Sequence, residues 1–244
     1  MEIPIIYEDE NLFIIDKPAG LVVNRADSVK EETLQDWAER KLSVNQQIGK
    51  SVDIESDFYN RSGIVHRLDK ETSGLMIIAK TPQAFENLQG QFKNREVIKK
   101  YTALVHGEVS REGEIKATVG RLPWNRERFG VLAGGRDAWT SYKSVGYFKL
   151  SQGVLFTLVE VTPHTGRTHQ IRIHFKYIGH PLLSDKFYAG RKVYRSDIKL
   201  CPRLFLHAGY IKFKNPENDK EKWLEFNSKL PIDLDKVMEK LTRI

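Results

Sequence analysis

Apolar residues along the chain fall into short runs cut by turn formers, and few runs are long enough for a helix. Residues 11–15 (Asn-Leu-Phe-Ile-Ile) are followed by Asp16-Lys17-Pro18-Ala19-Gly20 and a second run at 21–23, a pattern that predicts strand–turn–strand. Over 33–43 the apolar positions Leu34, Trp37, Ala38 and Leu42 keep helical spacing, with Thr33 as N-cap. Residues 44–62 are polar and aperiodic and read as a long loop. Then come a strand at 63–68, a polar turn at 69–74 and a strand at 75–79.

Thr81-Pro82 starts a helix with a cap and a proline at its first position, and Phe85, Leu88 and Phe92 form its apolar stripe. Strand patterns recur at 98–109, 115–119, 139–147 and 154–161. Between two of them, 121–136 is basic, broken by glycines and interleaved with Trp124 and Phe129. A helix is predicted over 168–178, capped by Thr168 and stopped by Gly179. Strands follow at 204–213 and 223–226, and a helix follows Pro231. Many strands with scattered helices predict an α+β fold on a mixed, mostly antiparallel sheet, as a single domain over 1–244.

Composition narrows the function classes. One cysteine, Cys201, excludes an internal disulfide framework and a multi-cysteine zinc site. No apolar run approaches the ~20 residues of a membrane span, and the N-terminus lacks a signal-peptide pattern, so the cytoplasm is the expected location. The formal charge is +7, unevenly spread: residues 162–214 hold eleven basic side chains against Asp185 and Asp197, a net of +9. Such clustering suits a polyanion, because each phosphate contact releases a condensed counterion; a solvated basic face gives the same composition. His164, His169 and His174 are five apart, which does not stack two of them on one helix face, and no phosphate-binding glycine loop is present. Neither a metal nor a nucleotide cofactor is expected.

Two segments carry candidate chemistry. In Gly63-Ile-Val-His-Arg-Leu-Asp-Lys-Glu-Thr-Ser-Gly-Leu, strand alternation puts Arg67 and Asp69 on one side and Leu68 in the core. A carboxylate beside cations stays ionised and is poised as a nucleophile or base. A strand-end aspartate also makes Asx turns, here with Thr72 or Ser73. In Pro163-His-Thr-Gly-Arg-Thr-His-Gln-Ile-Arg-Ile-His, Arg172 lies near a helix N-terminus, where a cation opposes the helix dipole and calls for an acidic partner. Asp69 is a candidate partner, and a solvent-exposed basic helix is the simpler alternative.

Six blocks in order resemble the RluA-type pseudouridine synthase family: residues 7–23, His66-Arg-Leu-Asp-Lys-Glu-Thr-Ser-Gly-Leu, Lys100-Tyr-Thr-Ala-Leu-Val-His-Gly, Thr165-Gly-Arg-Thr-His-Gln-Ile-Arg-Ile-His, Gly179-His-Pro-Leu-Leu-Ser-Asp and Arg203-Leu-Phe-Leu-His-Ala. The resemblance implies an enzyme that isomerises uridine in tRNA or large-subunit rRNA stem-loops, without metal or organic cofactor. It makes Asp69 the catalytic aspartate, Tyr101 the tyrosine that packs on the base and accepts the C5 proton, and Arg172 the arginine paired with the aspartate. It gives Arg67 the role of filling the gap left by the flipped base and Leu206 that of an apolar platform. His66 and Arg167 become further RNA contacts. Asn24 stands where many relatives have His, and Ser184 replaces a frequent Gly. The first block starts within ten residues of Met1, so no small N-terminal RNA-binding domain is expected ahead of it. Target choice would fall to residues 44–62, 121–136 and 186–203. A monomer with no obligate protein partner is the default. The rival readings are a catalytically idle RNA-binding protein or RNA chaperone on the same scaffold, and a hydrolytic enzyme using Asp69 with a second acid.

Overall fold

The computed structural model describes residues 2–27, 29–44, 56–151, 153–217 and 222–244. The chain groups into two compact units, Met1–Ile98 with Tyr210–Ser228, and Lys99–Gly209 with Lys229–Ile244. The class is α+β, as the sequence predicts, and every pairing set out below is antiparallel.

In the first unit, β1 (Ile5–Glu8), β2 (Leu12–Lys17) and β3 (Ser73–Ala79) lie in that order. The β2–β3 register runs from Leu12↔Ala79 to Lys17↔Gly74. All of β3 is buried, as is β2 apart from half-buried Asp16. Strands covered on both faces read as continuous apolar runs, which is why their sequence does not alternate. Helix α1 (Leu34–Val44) begins with reciprocal bonds: Thr33 Oγ1 accepts from Asp36 N, and the Asp36 carboxylate accepts from Thr33 N and Oγ1. These bonds, with Arg25 beside it, hold the Asp36 carboxyl down at about 2. Helix α2 (Asp57–Asn60) falls inside the predicted loop 44–62, of which 45–55 lie outside the described residues. Helix α3 (Pro82–Lys93) has the expected Thr81 cap and buries Phe85 and Leu88.

The second unit contains β4 (Ile98–His106) from Lys99 on, β5 (Glu112–Leu122), β6 (Asn125–Val131), β7 (Arg136–Lys149) and β8 (Leu155–Pro163), ordered β4-β8-β7-β5-β6. Helices α4 (Gln170–Tyr177), α5 (Arg191–Asp197) and α6 (Ile232–Met238) accompany it. Strand β9 (Leu206–Lys214) belongs to this unit through Gly209 and to the first from Tyr210, where it pairs with β10 (Trp223–Asn227). A two-residue strand, β11 (Thr242–Arg243), pairs with the end of β7. One core gathers Ala103, Val105, Val159, Val161, Phe175 and Leu206.

Four local expectations are corrected. Residues 21–23 form no strand: the carbonyls of Val22 and Val23 accept from Leu34 N and Gln35 N, so this stretch holds the start of α1. Residues 63–68 make a single bridge, Ile64↔Ile78, and then leave the sheet. The segment 121–136 is largely the β5–β6 hairpin and the start of β7, its cross-strand pairs including Arg121↔Phe129. Helix α4 starts at Gln170 without Thr168 as cap; its N-cap position is His169, at φ +55°. Gly179, at φ +87°, ends that helix as expected, in a backbone region that glycine enters without strain.

Candidate active site

The Asp69 turn is built from backbone constraints on both sides. Gly63 sits at φ +73°, and a Cβ there would lie 2.1 Å from the Ala79 carbonyl oxygen, so only glycine allows this approach to β3. Ala79 N donates to Gly63 O at 2.8 Å. Two residues past the Ile64 bridge, the His66 ring rather than a backbone carbonyl takes the next ladder donor: Ile77 N–H donates to His66 Nε2 at 3.0 Å. A backbone N–H only donates, so Nε2 carries no proton, and the neutral ring holds its proton on Nδ1. The imidazole stacks on Phe92 at 4.6 Å and 27°. The side chain thereby ends the strand that periodicity predicts, and the chain turns off β3.

Beyond it, Leu68 is buried, Arg67 exposed and Asp69 half-buried, the alternation expected from sequence although no strand forms. The Asp69 carbonyl accepts from Thr72 N at 3.1 Å, closing a turn over 69–72. The next carbonyl, that of Lys70, accepts from Gly20 N at 2.7 Å and from Lys17 Nζ at 3.2 Å. Lys17 is fully buried at the end of β2, and its ammonium also donates to Pro18 O at 2.8 Å and Leu21 O at 3.0 Å. A buried ammonium needs such acceptors. One cation therefore ties the 17–21 turn to the turn that carries Asp69.

In the second unit, Tyr101 lies on β4 opposite Val161 and packs, half-buried, against the core that contains Leu206 and Ile171. Leu206 opens β9 and is buried. The loop before α4 is organised by the Gln170 amide. Its Oε1 accepts from Thr165 Oγ1 at 2.7 Å and Arg167 N at 3.0 Å, while its Nε2 donates to Trp139 O at 3.0 Å and Thr140 Oγ1 at 2.9 Å. Gln170 thus orders the loop ahead of α4, and the helix starts without the side-chain cap expected of Thr168. Arg167 is half-buried, and its Nε donates to Asp137 O at 3.1 Å.

Arg172, the third residue of α4, is 2% exposed. Its Nε and Nη2 donate to the two carboxylate oxygens of Asp185, each at 2.8 Å. Asp185 is fully buried, and its Oδ1 also accepts from Phe187 N at 2.9 Å and Tyr188 N at 3.1 Å. The guanidinium carbon stands 5.1 Å from the Tyr188 ring centre and 5.4 Å from that of Phe187. Asp185 is an acidic partner of the kind the dipole argument calls for. Ser184, where glycine is frequent in the resembling family, adopts φ +58°; its amide donates to Asp197 Oδ2 and its hydroxyl to Cys201 O.

Within each unit the structure groups the sequence-predicted residues. His66, Arg67 and Asp69 share one turn of the first, while Tyr101 and Leu206 share a core of the second with Ile171, the neighbour of Arg172. Sequence reasoning missed Lys17, Gln170 and the carboxylate role of Asp185, although all three stand inside the quoted blocks. It also missed Lys99, two residues before Tyr101 on β4 and so on the same side of the strand, whose ammonium burial pushes down to about 8. Among the described residues no three His, Cys, Asp or Glu side chains are grouped to hold a metal ion. No helix among them is long and apolar enough to cross a membrane.

Comparison with known proteins places these residues in context. A family model described as RNA pseudouridylate synthase matches residues 11–177. An uncharacterized RNA pseudouridine synthase of Bacillus subtilis, YlyB, is 38% identical over 245 residues, covering 100% of this chain and 74% of that protein. Ribosomal large subunit pseudouridine synthase D of Pseudomonas aeruginosa is 36% identical over 242 residues, covering 96% and 70%. The solved structure of human RNA Pseudouridylate Synthase Domain Containing 1 superposes with a TM-score of 0.74 at 22% identity, covering 100% of this chain and 89% of the other, a likeness of fold.

Proposed function

The chain belongs to the RNA pseudouridylate synthase family, and from that premise we propose that it converts specific uridines to pseudouridine in folded large-subunit rRNA or tRNA, with Asp69 as the catalytic aspartate. The family's reaction is an isomerisation. The N1–C1′ bond breaks, the uracil turns, a C5–C1′ bond forms, and the C5 proton leaves while N1 gains one. The balance needs no oxidant, reductant or activated group, in keeping with the reading of no cofactor. Large-subunit rRNA is the first candidate target, because relatives at 35–36% identity in Pseudomonas aeruginosa and Nitrosomonas europaea bear the name ribosomal large subunit pseudouridine synthase D.

The observation that carries the proposal is the Asp69 turn itself. A half-buried carboxylate follows an exposed arginine on a turn whose backbone is tied down by Lys17 and Gly20. Pre-positioning of this kind lets a carboxylate attack C1′, or remove the 2′ proton, without first being ordered. Taking a base out of its stack costs a few kcal/mol, and Arg67 is the side chain proposed to fill the gap. Tyr101 is proposed to accept the C5 proton, with Arg172 completing the catalytic set; Leu206, His66 and Arg167 are proposed substrate contacts. The reading extends to a cytoplasmic monomer.

The test is a map of pseudouridine across total RNA from cells lacking the protein, complemented with wild type or Asp69→Ala. One or a few sites vanish and return only with wild type. Restoration by Asp69→Ala would remove Asp69 from the reaction, and an unchanged map would favour an RNA-binding role without catalysis.

A further inference from the structure

The most exposed large apolar side chain among the described residues is Trp124, 79% exposed. It sits at the apex of the β5–β6 hairpin, after Pro123 and between the paired residues Leu122 and Asn125. Proline fixes φ at its position, so the apex is stiff and holds the indole away from the sheet. The other strongly exposed tryptophan, Trp223 at 42%, has the ammoniums of Lys212 and Lys214 within 5.8 Å of its ring centre. Trp124 has no ring or cation in such contact among the described residues.

The hairpin beneath the indole is basic and pre-ordered. Residues 121–136 hold four arginines against Glu127. The Arg121 guanidinium lies 5.2 Å from the Phe129 ring centre, and that of Arg128 lies 5.9 Å from Phe187. Phe129 meets His169 edge-on at 6.0 Å, and His169 stacks near Phe187 at 5.8 Å and bonds Tyr188 Oη through Nδ1 at 2.9 Å. The two guanidiniums therefore lie against rings anchored to the start of α4, which lowers the entropy lost when their N–H groups meet a ligand. Asp137 is the exposed acid on the adjoining strand.

A flat, uncovered π-face among ordered arginines matches one chemistry: a single-stranded nucleic acid, whose bases stack while its phosphates meet the cations. A protein partner would be expected to meet a wider apolar surface than one indole. We infer that the hairpin tip is an RNA-stacking site, in which Trp124 takes an unpaired base of the target RNA and Arg121 and Arg128 take neighbouring phosphates. The inference rests on the function proposed above and assigns it a target-reading residue outside the catalytic set.

The experiment titrates wild type, Trp124→Ala, Trp124→Phe and Arg121→Gln into a fluorescein-labelled oligouridylate and into an RNA duplex of equal length, across a salt series. Trp124→Ala weakens single-strand binding by about 5- to 100-fold, the range set by alanine replacement at base-stacking residues, and Trp124→Phe recovers most of it. Duplex binding changes little, because paired bases are already stacked. The slope of log affinity against log salt stays at the wild-type value in Trp124→Ala and shallows by about 0.7 in Arg121→Gln, since only the arginine releases a counterion. The variant melts as wild type does, its side chain being exposed. Wild-type affinity of Trp124→Ala for the single strand would overturn the inference, as would a change in sedimentation showing that the indole joins two copies of the chain. Absence of RNA binding and of pseudouridine formation in the wild type would instead overturn the proposed function.

Discussion

The Asp69 turn and the Arg172–Asp185 pair hold candidate catalytic side chains in opposite ways. At the turn, a buried cation is spent on the backbone: the Lys17 ammonium binds three carbonyls, and the turn is fixed next to a carboxylate that stays half-exposed. In α4 the candidate side chain is itself buried, clamped by two bonds to a carboxylate that also caps two backbone amides. The first arrangement separates stability from chemistry. The second merges them, because a buried charge that loses its partner is costly to the fold as well as to the site.

Asp185→Asn gives the largest effect on stability. It leaves the Arg172 charge in place and removes the Asp185 charge from its bidentate pair, a loss of about 3–5 kcal/mol, and so roughly 10 °C in melting temperature for a chain of this size. A melt within a degree or two of wild type would mean that Arg172 is satisfied without Asp185, and the contrast would disappear. Lys17→Met is expected to cost about 1–3 kcal/mol, the desolvation left on carbonyls that lose their donor. Faster hydrogen exchange at Gly20 and a lower turnover, measured together, would show the tie reaching Asp69. An equally stable and active Lys17→Met would show that Gly20 alone suffices.

The smallest effect concerns the partly buried version of the same device, the Thr33–Asp36 box. Loss of the Thr33 side chain costs about 1 kcal/mol. The Asp36 carboxyl is lowered from 3.8 to about 2 in the fold, so its contribution is fully present above about 3.8 and is lost as pH falls toward 2. Thr33→Ala therefore flattens the acid limb of the stability curve between those values, read by thermal melts in a pH series.

Much of the architecture was legible because it is written in local period and caps. Continuous apolar runs marked β2 and β3, Thr81-Pro82 marked the start of α3, and Gly179 marked the end of α4. Two of the misreadings share one cause. Residues 63–68 have strand periodicity, yet the ladder donor of Ile77 goes to a histidine ring eleven residues earlier. Residues 21–23 look like a strand and instead accept bonds from the first turn of α1. In each case a distant group took a hydrogen bond that periodicity assigns to a neighbouring strand.

By itself the sequence determined the class of fold, most element positions and the set of side chains able to do chemistry, because period, turn formers and caps act over a few residues. Tertiary structure alone decided the partnerships. Lys17 reaches Lys70 across 53 positions, and Arg172 finds Asp185 across 13. Which carbonyl or carboxylate meets a buried cation depends on where two separately folded segments come to lie, and a buried charge accepts no vacancy, so packing selects the partner that local sequence leaves open.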